Sequence, residues 1–152
     1  MEFDPQALLL IKFICLLTGT AAIAWGLIAK PLNIAKLASI RFSLANICVF
    51  IGIILNTLRT ESNSYLYWFC ADIVILLGFI MLRWGTQYLF RLQHSTKLDL
   101  TMLAITAALM LMVPPNVQSQ PILAMLFSAN AALSFVMLSR DNYYACLLYT
   151  SP

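Results

Sequence analysis

Long apolar segments separated by short connections run through almost the whole chain. A helix needs about 20 apolar residues to cross a bilayer core, with about 17 as a practical minimum. A helix satisfies its own backbone groups in lipid, and these runs lack the alternation of barrel strands. The sequence therefore predicts an all-α, polytopic transmembrane helix bundle, with five full spans plus the start of a sixth at Tyr143. The five predicted spans are residues 8–29, 42–58, 65–82, 98–113 and 122–138.

The composition excludes a water-soluble fold. Of the 152 residues, 62% are hydrophobic and 10% are charged, whereas soluble domains have about 45–50% apolar and about 25% charged residues. A small domain exposes too much of its surface to hide this apolar fraction from water. A soluble enzyme, a disordered tail and a nucleic-acid-binding module are thereby excluded, and the expected partner is a lipid bilayer.

The chain has no sequence motif for catalysis or metal binding. Its four cysteines stand alone inside apolar runs, and no CxxC or paired Cys/His spacing is present. The HExxH, Walker A and GxSxG motifs are also missing. We therefore expect no catalytic residue, no cofactor and no metal ligand in these residues. His94, Ser95 and Asp99 are interpreted as part of a loop.

Basic residues are concentrated in the first and third connections between the apolar segments. Because such connections stay on the cytoplasmic side of a membrane, we predict that the N-terminus lies outside. By this count the sixth span runs from the cytoplasm to the outside. A seventh span would be needed to place a following domain in the cytoplasm. Arg83 is interpreted as an anchor whose side chain reaches the interface. The basic residues of the two connections are Lys30, Lys36, Arg41, Arg83, Arg91 and Lys97.

Three residues inside the apolar segments form the candidate site. Asp72 lies about 10 Å along the third helix at about 1.5 Å per residue, and Lys12 lies at a similar depth in the first helix. Ionisable groups at such depth are costly and usually face a partner or a wet cavity. We predict a ligand- or proton-sensing site formed by Asp72, Lys12 and Asn46. The alternative is a hydrated Asp72, a snorkelling Lys12 and an Asn46 that only bonds between helices.

Small residues recur at helical spacing on three of the segments. Faces of this kind let helix backbones approach closely in lipid. We expect them to pack inside the bundle or in a homodimer interface. The residues are Thr18, Ala22 and Gly26 on the first helix, Gly52 on the second, and Gly78 and Gly85 on the third.

An acidic leader, MEFDPQALLL, precedes a Trp-bearing third span that ends in an Arg/Gly pair. This pattern resembles the N-terminal multi-pass input region of bacterial GGDEF-type diguanylate cyclases, most closely over the first 90 residues. The resemblance implies a sensory bundle at residues 1–145, in the bacterial inner (cytoplasmic) membrane, that regulates a cytoplasmic cyclase domain joined in cis. The matching residues are Arg41, Asn46, Gly52, Arg59, Trp68, Asp72, Gly78, Arg83 and Gly85.

The GGDEF motif is not in this chain, so the resemblance implies no cyclase activity in these residues. Residues 146–152 are interpreted as the start of a truncated span. Their sequence, CLLYTSP, also resembles translated sequencing-adapter bases, which makes an artefact the alternative. The alternative functions are the sensor region of a histidine kinase and a small multi-pass transporter. A transporter would need inverted repeats, broken helices or a charged pore lining.

Reporter fusions test the predicted orientation. Fusions after Lys36 and Gln93 are expected to show cytoplasmic reporter activity, because both positions lie within the basic connections. A fusion after Gln118 is expected to show periplasmic activity. The opposite pattern at the three positions would reject an external N-terminus.

Overall fold

The structure is a computed structural model that describes residues 5–31, 33, 35–58, 64–93, 95–114 and 117–150. Every regular element in these ranges is helical, which confirms the all-α prediction. A short 3-10 turn at Val117–Ser119 precedes the last helix. The helices are α1 (Pro5–Ala29), α2 (Lys36–Thr57), α3 (Ser64–Leu89), α4 (Thr96–Met112) and α5 (Gln120–Thr150).

Four of the five helices, namely α1, α2, α3 and α5, are long and apolar enough to cross a membrane. Helix α4 has 17 residues, so its length of about 25 Å is below the roughly 30 Å of a hydrocarbon core. The prediction of five full spans plus the start of a sixth is therefore wrong in its count.

The predicted boundary between the fifth and sixth segments lies inside α5. In the sequence, the polar residues 139–142 separate two apolar runs and suggested a connection. In the structure Asp141 turns inward, is 6% exposed and pairs with Arg83, while Arg140 lies on the exposed side. Because the inward carboxylate is neutralised inside the bundle, α5 continues through this stretch, and no sixth segment begins at Tyr143.

Helix α2 lies between α1 and α3. On the α1 side, the Ser43 hydroxyl donates to the Ala22 carbonyl oxygen at 2.8 Å, and the Trp25 and Phe42 rings lie 4.7 Å apart. The residue numbers of the contacting positions increase along α1 as they decrease along α2, so the two helices are antiparallel. Among the described helices, α1 packs against α2 alone.

Glycines bring α2 and α3 into close contact. A Cβ added at Gly52 would lie 3.0 Å from a backbone oxygen of α3, and one at Gly78 would lie 3.0 Å from the Ala45 carbonyl oxygen. At Gly85 it would lie 2.6 Å from the Phe42 ring. Each distance is too short for a side chain without displacement of a neighbour. The glycines therefore set the separation of the two helix backbones.

Helices α3, α4 and α5 contact one another. The rings of Phe79 and Phe135 lie 4.9 Å apart, and further along the same two helices Arg83 pairs with Asp141. Because both contacts occur in the same order, α3 and α5 are parallel. The amide of Asn130 donates to the hydroxyl of Thr106, which is consistent with an antiparallel α4.

The end of α3 turns the chain back on itself. Arg91 adopts a left-handed conformation with φ 53°, and the Leu92 amide donates to the Gln87 carbonyl oxygen at 2.9 Å. This is the 6→1 bond of a Schellman-type helix end. It directs Ser95 and the first turn of α4 back beside the last turns of α3.

Replacing Gly78 tests the glycine contacts. Gly78→Val is expected to lower the free energy of unfolding by about 1–3 kcal/mol, because its side chain would force the α2 and α3 backbones apart. Gly19→Val is the matched control, since a Cβ there would lie 3.8 Å from the Phe50 ring. Unfolding in detergent micelles measures both variants. A loss of equal size in the two would contradict the role of Gly78.

Candidate functional site

The structure does not bring the three predicted sensing residues together. Lys12 is exposed on α1, whereas Asp72 is half-buried on α3, and α2 separates these helices. The Asn46 amide donates to the Phe42 carbonyl oxygen of its own helix at 2.8 Å. Neighbouring contacts place Asn46 near the level of Gly78, about 9 Å along α3 from Asp72. The sensing role of these residues stays a prediction.

The small-residue face of α1 packs in part against α2. Ala22 is buried, and its carbonyl oxygen accepts the hydrogen bond from Ser43. A Cβ at Gly26 would lie 3.6 Å from the Ser43 hydroxyl oxygen. The Thr18 hydroxyl instead donates to the Ile14 carbonyl oxygen of its own helix at 2.9 Å. This face therefore has an internal neighbour at Ala22 and Gly26.

A buried arginine between two carboxylates is the most concentrated group of charges in the described structure. Arg83 Nε donates to Asp141 Oδ2 at 2.8 Å, and Arg83 Nη1 donates to Asp99 Oδ1. Arg83 is 2% exposed and Asp99 is 4% exposed. One guanidinium thus joins α3 to the first turn of α4 and to the C-terminal part of α5.

Neutral side chains complete the coordination of the two carboxylates. Gln87 Nε2 donates to Asp141 Oδ2 at 2.9 Å. Trp84 Nε1 donates to Asp99 Oδ2 at 2.8 Å, and the Ser95 hydroxyl donates to the same oxygen at 3.3 Å. We refer to this group as the Arg83 cluster. Its members are Arg83, Trp84, Gln87, Ser95, Asp99 and Asp141.

The local sequence explains why these side chains converge. Arg83 and Gln87 are four residues apart on α3, so they project from the same face of the helix. The left-handed turn at Arg91 places Ser95 and the start of α4 beside that face. Asp99 lies in the first turn of α4, where the helix dipole favours a negative charge.

Most but not all of the hydrogen-bonding atoms in the Arg83 cluster have a partner. Arg140 Nη2 lies 3.5 Å from Asp141 Oδ1, so each of the four carboxylate oxygens has a polar neighbour. Arg83 Nη2 and Gln87 Oε1 have no hydrogen-bond partner within the described part of the chain. A buried unsatisfied polar group costs about 1–3 kcal/mol. Within the described residues, the Nη2 nitrogen of Arg83 thus remains without an acceptor, and the Oε1 oxygen of Gln87 remains without a donor.

A cation–π contact connects the Arg83 cluster to α2. The guanidinium carbon of Arg41 lies 5.2 Å from the centroid of the Trp84 ring, and Arg41 Nη1 lies 3.2 Å from Met81 Sδ. Trp84 in turn donates to Asp99. Side chains from α2, α3, α4 and α5 therefore meet in one continuous polar group.

The chemistry available to this group is charge neutralisation and hydrogen bonding between helices. Both carboxylates are engaged by a guanidinium, and the described ranges contain no group of three or more metal-ligating side chains. The Arg83 side chain is buried between two carboxylates inside the bundle, so it does not extend outward as the anchor interpretation predicted. Its guanidinium stays inside because two carboxylates neutralise it there.

The sequence interpretation missed the cluster because it treated Asp99 and Asp141 as parts of loops. One signal was available: these are the only two acidic residues after Asp72, and both lie beside apolar segments. An arginine with a glutamine four residues later offered a matching set of donors.

Comparisons with protein-family models, with curated proteins and with solved structures found no match to this chain.

Removing the arginine tests whether the cluster holds the helices together. Arg83→Leu is expected to lower the free energy of unfolding in micelles by about 3–5 kcal/mol, because two buried carboxylates would lose their counter-charge. Lys30→Leu, an exposed change at the same end of the bundle, is expected to cost less than about 0.5 kcal/mol.

A compensating variant separates charge from packing. Combining Arg83→Leu with Asp99→Asn and Asp141→Asn removes the uncompensated charges, and we expect it to recover most of the lost stability. If Arg83→Leu is no more harmful than Lys30→Leu, the cluster does not stabilise the bundle.

Proposed function

We propose that this chain is the membrane-embedded sensory region of a signalling protein, and that it regulates a cytoplasmic diguanylate cyclase domain joined in cis. One observation carries the proposal. Helix α5 is a single uninterrupted helix from Gln120 to Thr150, and the buried Arg83 cluster fixes its C-terminal part to α3 and α4. A continuous helix of this kind can carry a displacement to a domain attached after it.

The packing of α5 suits a movable element. Of the apolar window of α5, 17% is buried, which is more than in α1 (6%) but less than in α2 (28%) and α3 (39%). The bonds at Asp141 position α5 together with the Phe79–Phe135 contact and the Asn130–Thr106 hydrogen bond. Helix shifts of about 1–2 Å are a common form of signalling transition, and a shift of that size would break bonds of 2.8 and 2.9 Å.

The distribution of charge supports a cytoplasmic location for the end that carries the cluster. At this end α1 and α3 finish, and α2 and α4 begin. Basic residues favour the cytoplasmic side. Helix α5 itself reaches this end, so the proposal needs neither a sixth nor a seventh span. The basic residues at this end are Lys30, Lys36, Arg41, Arg83, Arg91, Lys97 and Arg140.

In the proposed orientation, the N-terminus is outside the bacterial inner membrane. Helix α4 and the turn at Val117–Ser119 together return the chain across the bundle, since α3 and α5 run in the same direction. Asp72 would then lie in the outer half of α3, about 17 Å from Arg83 along the same helix. A stimulus at Asp72 could reach the cluster through the rigid body of α3.

Regulation in this proposal is a population shift between two positions of α5. A ligand, a proton or a membrane state changes the output only if it interacts more favourably with one position than with the other. The position of α5 would control how the output domains of two copies pair. The chain itself carries no catalytic role in this proposal.

A histidine kinase output is the alternative within the same class, because a displaced helix serves either domain. A small transporter is the alternative outside it. Transporter sites are typically built from discontinuous helices, whereas α1, α2, α3 and α5 are each continuous within the described residues. This continuity favours the sensory proposal.

A fusion protein tests the coupling. With a diguanylate cyclase domain joined after Thr150, Asp141→Asn and Gln87→Leu are expected to change basal cyclic di-GMP output in the same direction. Asp141→Asn removes the charge that pairs with Arg83, and Gln87→Leu removes the amide that donates to Asp141, so both weaken the attachment of α5 to α3. The expected change is at least about fivefold per membrane-inserted molecule, the lower end of typical allosteric coupling.

The control is Lys30→Gln, which removes an exposed charge at the same end of the bundle and should leave the output unchanged. Asp72→Asn, measured in the same fusion, tests the predicted sensing residue separately. If Asp141→Asn and Gln87→Leu leave output at the control level, the helix-shift mechanism is wrong. Saturable solute uptake by the unfused chain in proteoliposomes would instead favour the transporter.

A further inference from the structure

A groove of about 480 Å³ lies between α1 and α2 at the edge of the bundle. Its α1 wall extends from Ile11 to Ile23, a length of about 18 Å at about 1.5 Å per residue. Phe50 and Thr57 contribute to the α2 wall. Because α1 packs against α2 alone among the described helices, the groove faces whatever surrounds the protein.

The groove is apolar along most of its length and carries a positive charge towards one end. Lys12 is the charged side chain among the described residues that line it, and it is exposed. The Thr20 hydroxyl donates to the Leu16 and Leu17 carbonyl oxygens at 2.9 Å, so it is satisfied within its own helix. From Lys12 inward, the groove therefore offers an ammonium group followed by an apolar surface.

We propose that this groove binds a phospholipid with an anionic headgroup. The headgroup phosphate is held by Lys12 Nζ, and one acyl chain follows the apolar wall towards Ile23. The groove length is close to the half-thickness of a hydrocarbon core, about 15 Å. A lysine at one end of an apolar groove complements both the charge of an anionic headgroup and the acyl chain attached to it, and the charge of Lys12 has no carboxylate neighbour in the described lining.

Gly19 keeps the groove open. A Cβ at this position would lie 3.8 Å from the Phe50 ring, which is an ordinary contact distance. A methyl group therefore fits at residue 19, and because this residue lines the groove, we expect a larger side chain there to fill part of it. If Lys12 only extends to the membrane surface, it does not need the groove. Filling the groove should therefore reduce lipid binding there but should not affect a lysine that only snorkels.

Photo-crosslinking in bilayer nanodiscs tests the proposal. The nanodiscs contain equimolar phosphatidylglycerol and phosphatidylcholine with identical acyl chains, and one of the two carries a diazirine in its chain. The readout is the yield of lipid adducts on peptides from residues 11–23. In the unmodified chain, phosphatidylglycerol is expected to label this segment more strongly than phosphatidylcholine.

Two variants and a matched control make the test decisive. Lys12→Gln is expected to reduce the phosphatidylglycerol yield about fivefold, the effect of one lysine near an anionic surface, with the phosphatidylcholine yield unchanged. Gly19→Leu is expected to reduce both yields. Lys30→Gln removes the same charge from the other end of α1 and should leave both yields at 11–23 unchanged.

Three results would overturn the proposal. Equal phosphatidylglycerol yields for Lys12→Gln and Lys30→Gln would show that Lys12 does not hold the headgroup. Unchanged yields for Gly19→Leu would show that Lys12 only snorkels. Efficient disulfide crosslinking of two chains through Cys15, which lines the groove, would show that a second copy occupies it. The proposal requires a membrane but is independent of any role in signalling.

Discussion

Neutralising the buried guanidinium of Arg83 is the constraint on which half of the bundle depends. Taking this charge out of water is costly, and the cost is offset only if both Asp99 and Asp141 remain in place. Each of the three residues lies on a different helix. The relative positions of α3, α4 and α5 are therefore linked, because displacing any one of them leaves a charge without its partner.

The other half of the bundle is held together differently. Between α2 and α3, the glycines at positions 52, 78 and 85 allow close backbone and side-chain contacts. The attractive energy of such contacts decreases sharply when the atoms separate by a fraction of an ångström. Such an interface resists separation but imposes no requirement on charge. The bundle thus combines a tightly packed pair of helices with a more loosely packed α5 that a few polar bonds position.

Hydropathy was sufficient to predict that these segments are helical, because an apolar run in lipid needs internal hydrogen bonding, but it divided α5 at the polar residues 139–142. It was insufficient for contacts between residues far apart in the sequence, such as Arg83 and Asp141. Lys12 and Asp72 show why. Equal depth along two helices says nothing about whether the helices are neighbours, and α2 lies between them. The same limit applied to Asp141, whose inward direction depends on a partner that local sequence does not reveal.

The arrangement of the helices also restricts how the two polar regions can communicate. The Lys12 groove lies between α1 and α2, whereas the Arg83 cluster joins α3, α4 and α5. Because α1 contacts only α2 among the described helices, any effect of groove occupancy on the cluster must pass through α2 or through the membrane. Helix α2 has a direct contact for this purpose, since Arg41 lies 5.2 Å from the Trp84 ring that donates to Asp99. A small rotation of α2 would move the Arg41 guanidinium relative to the indole and so change the environment of one of the two carboxylates that hold Arg83.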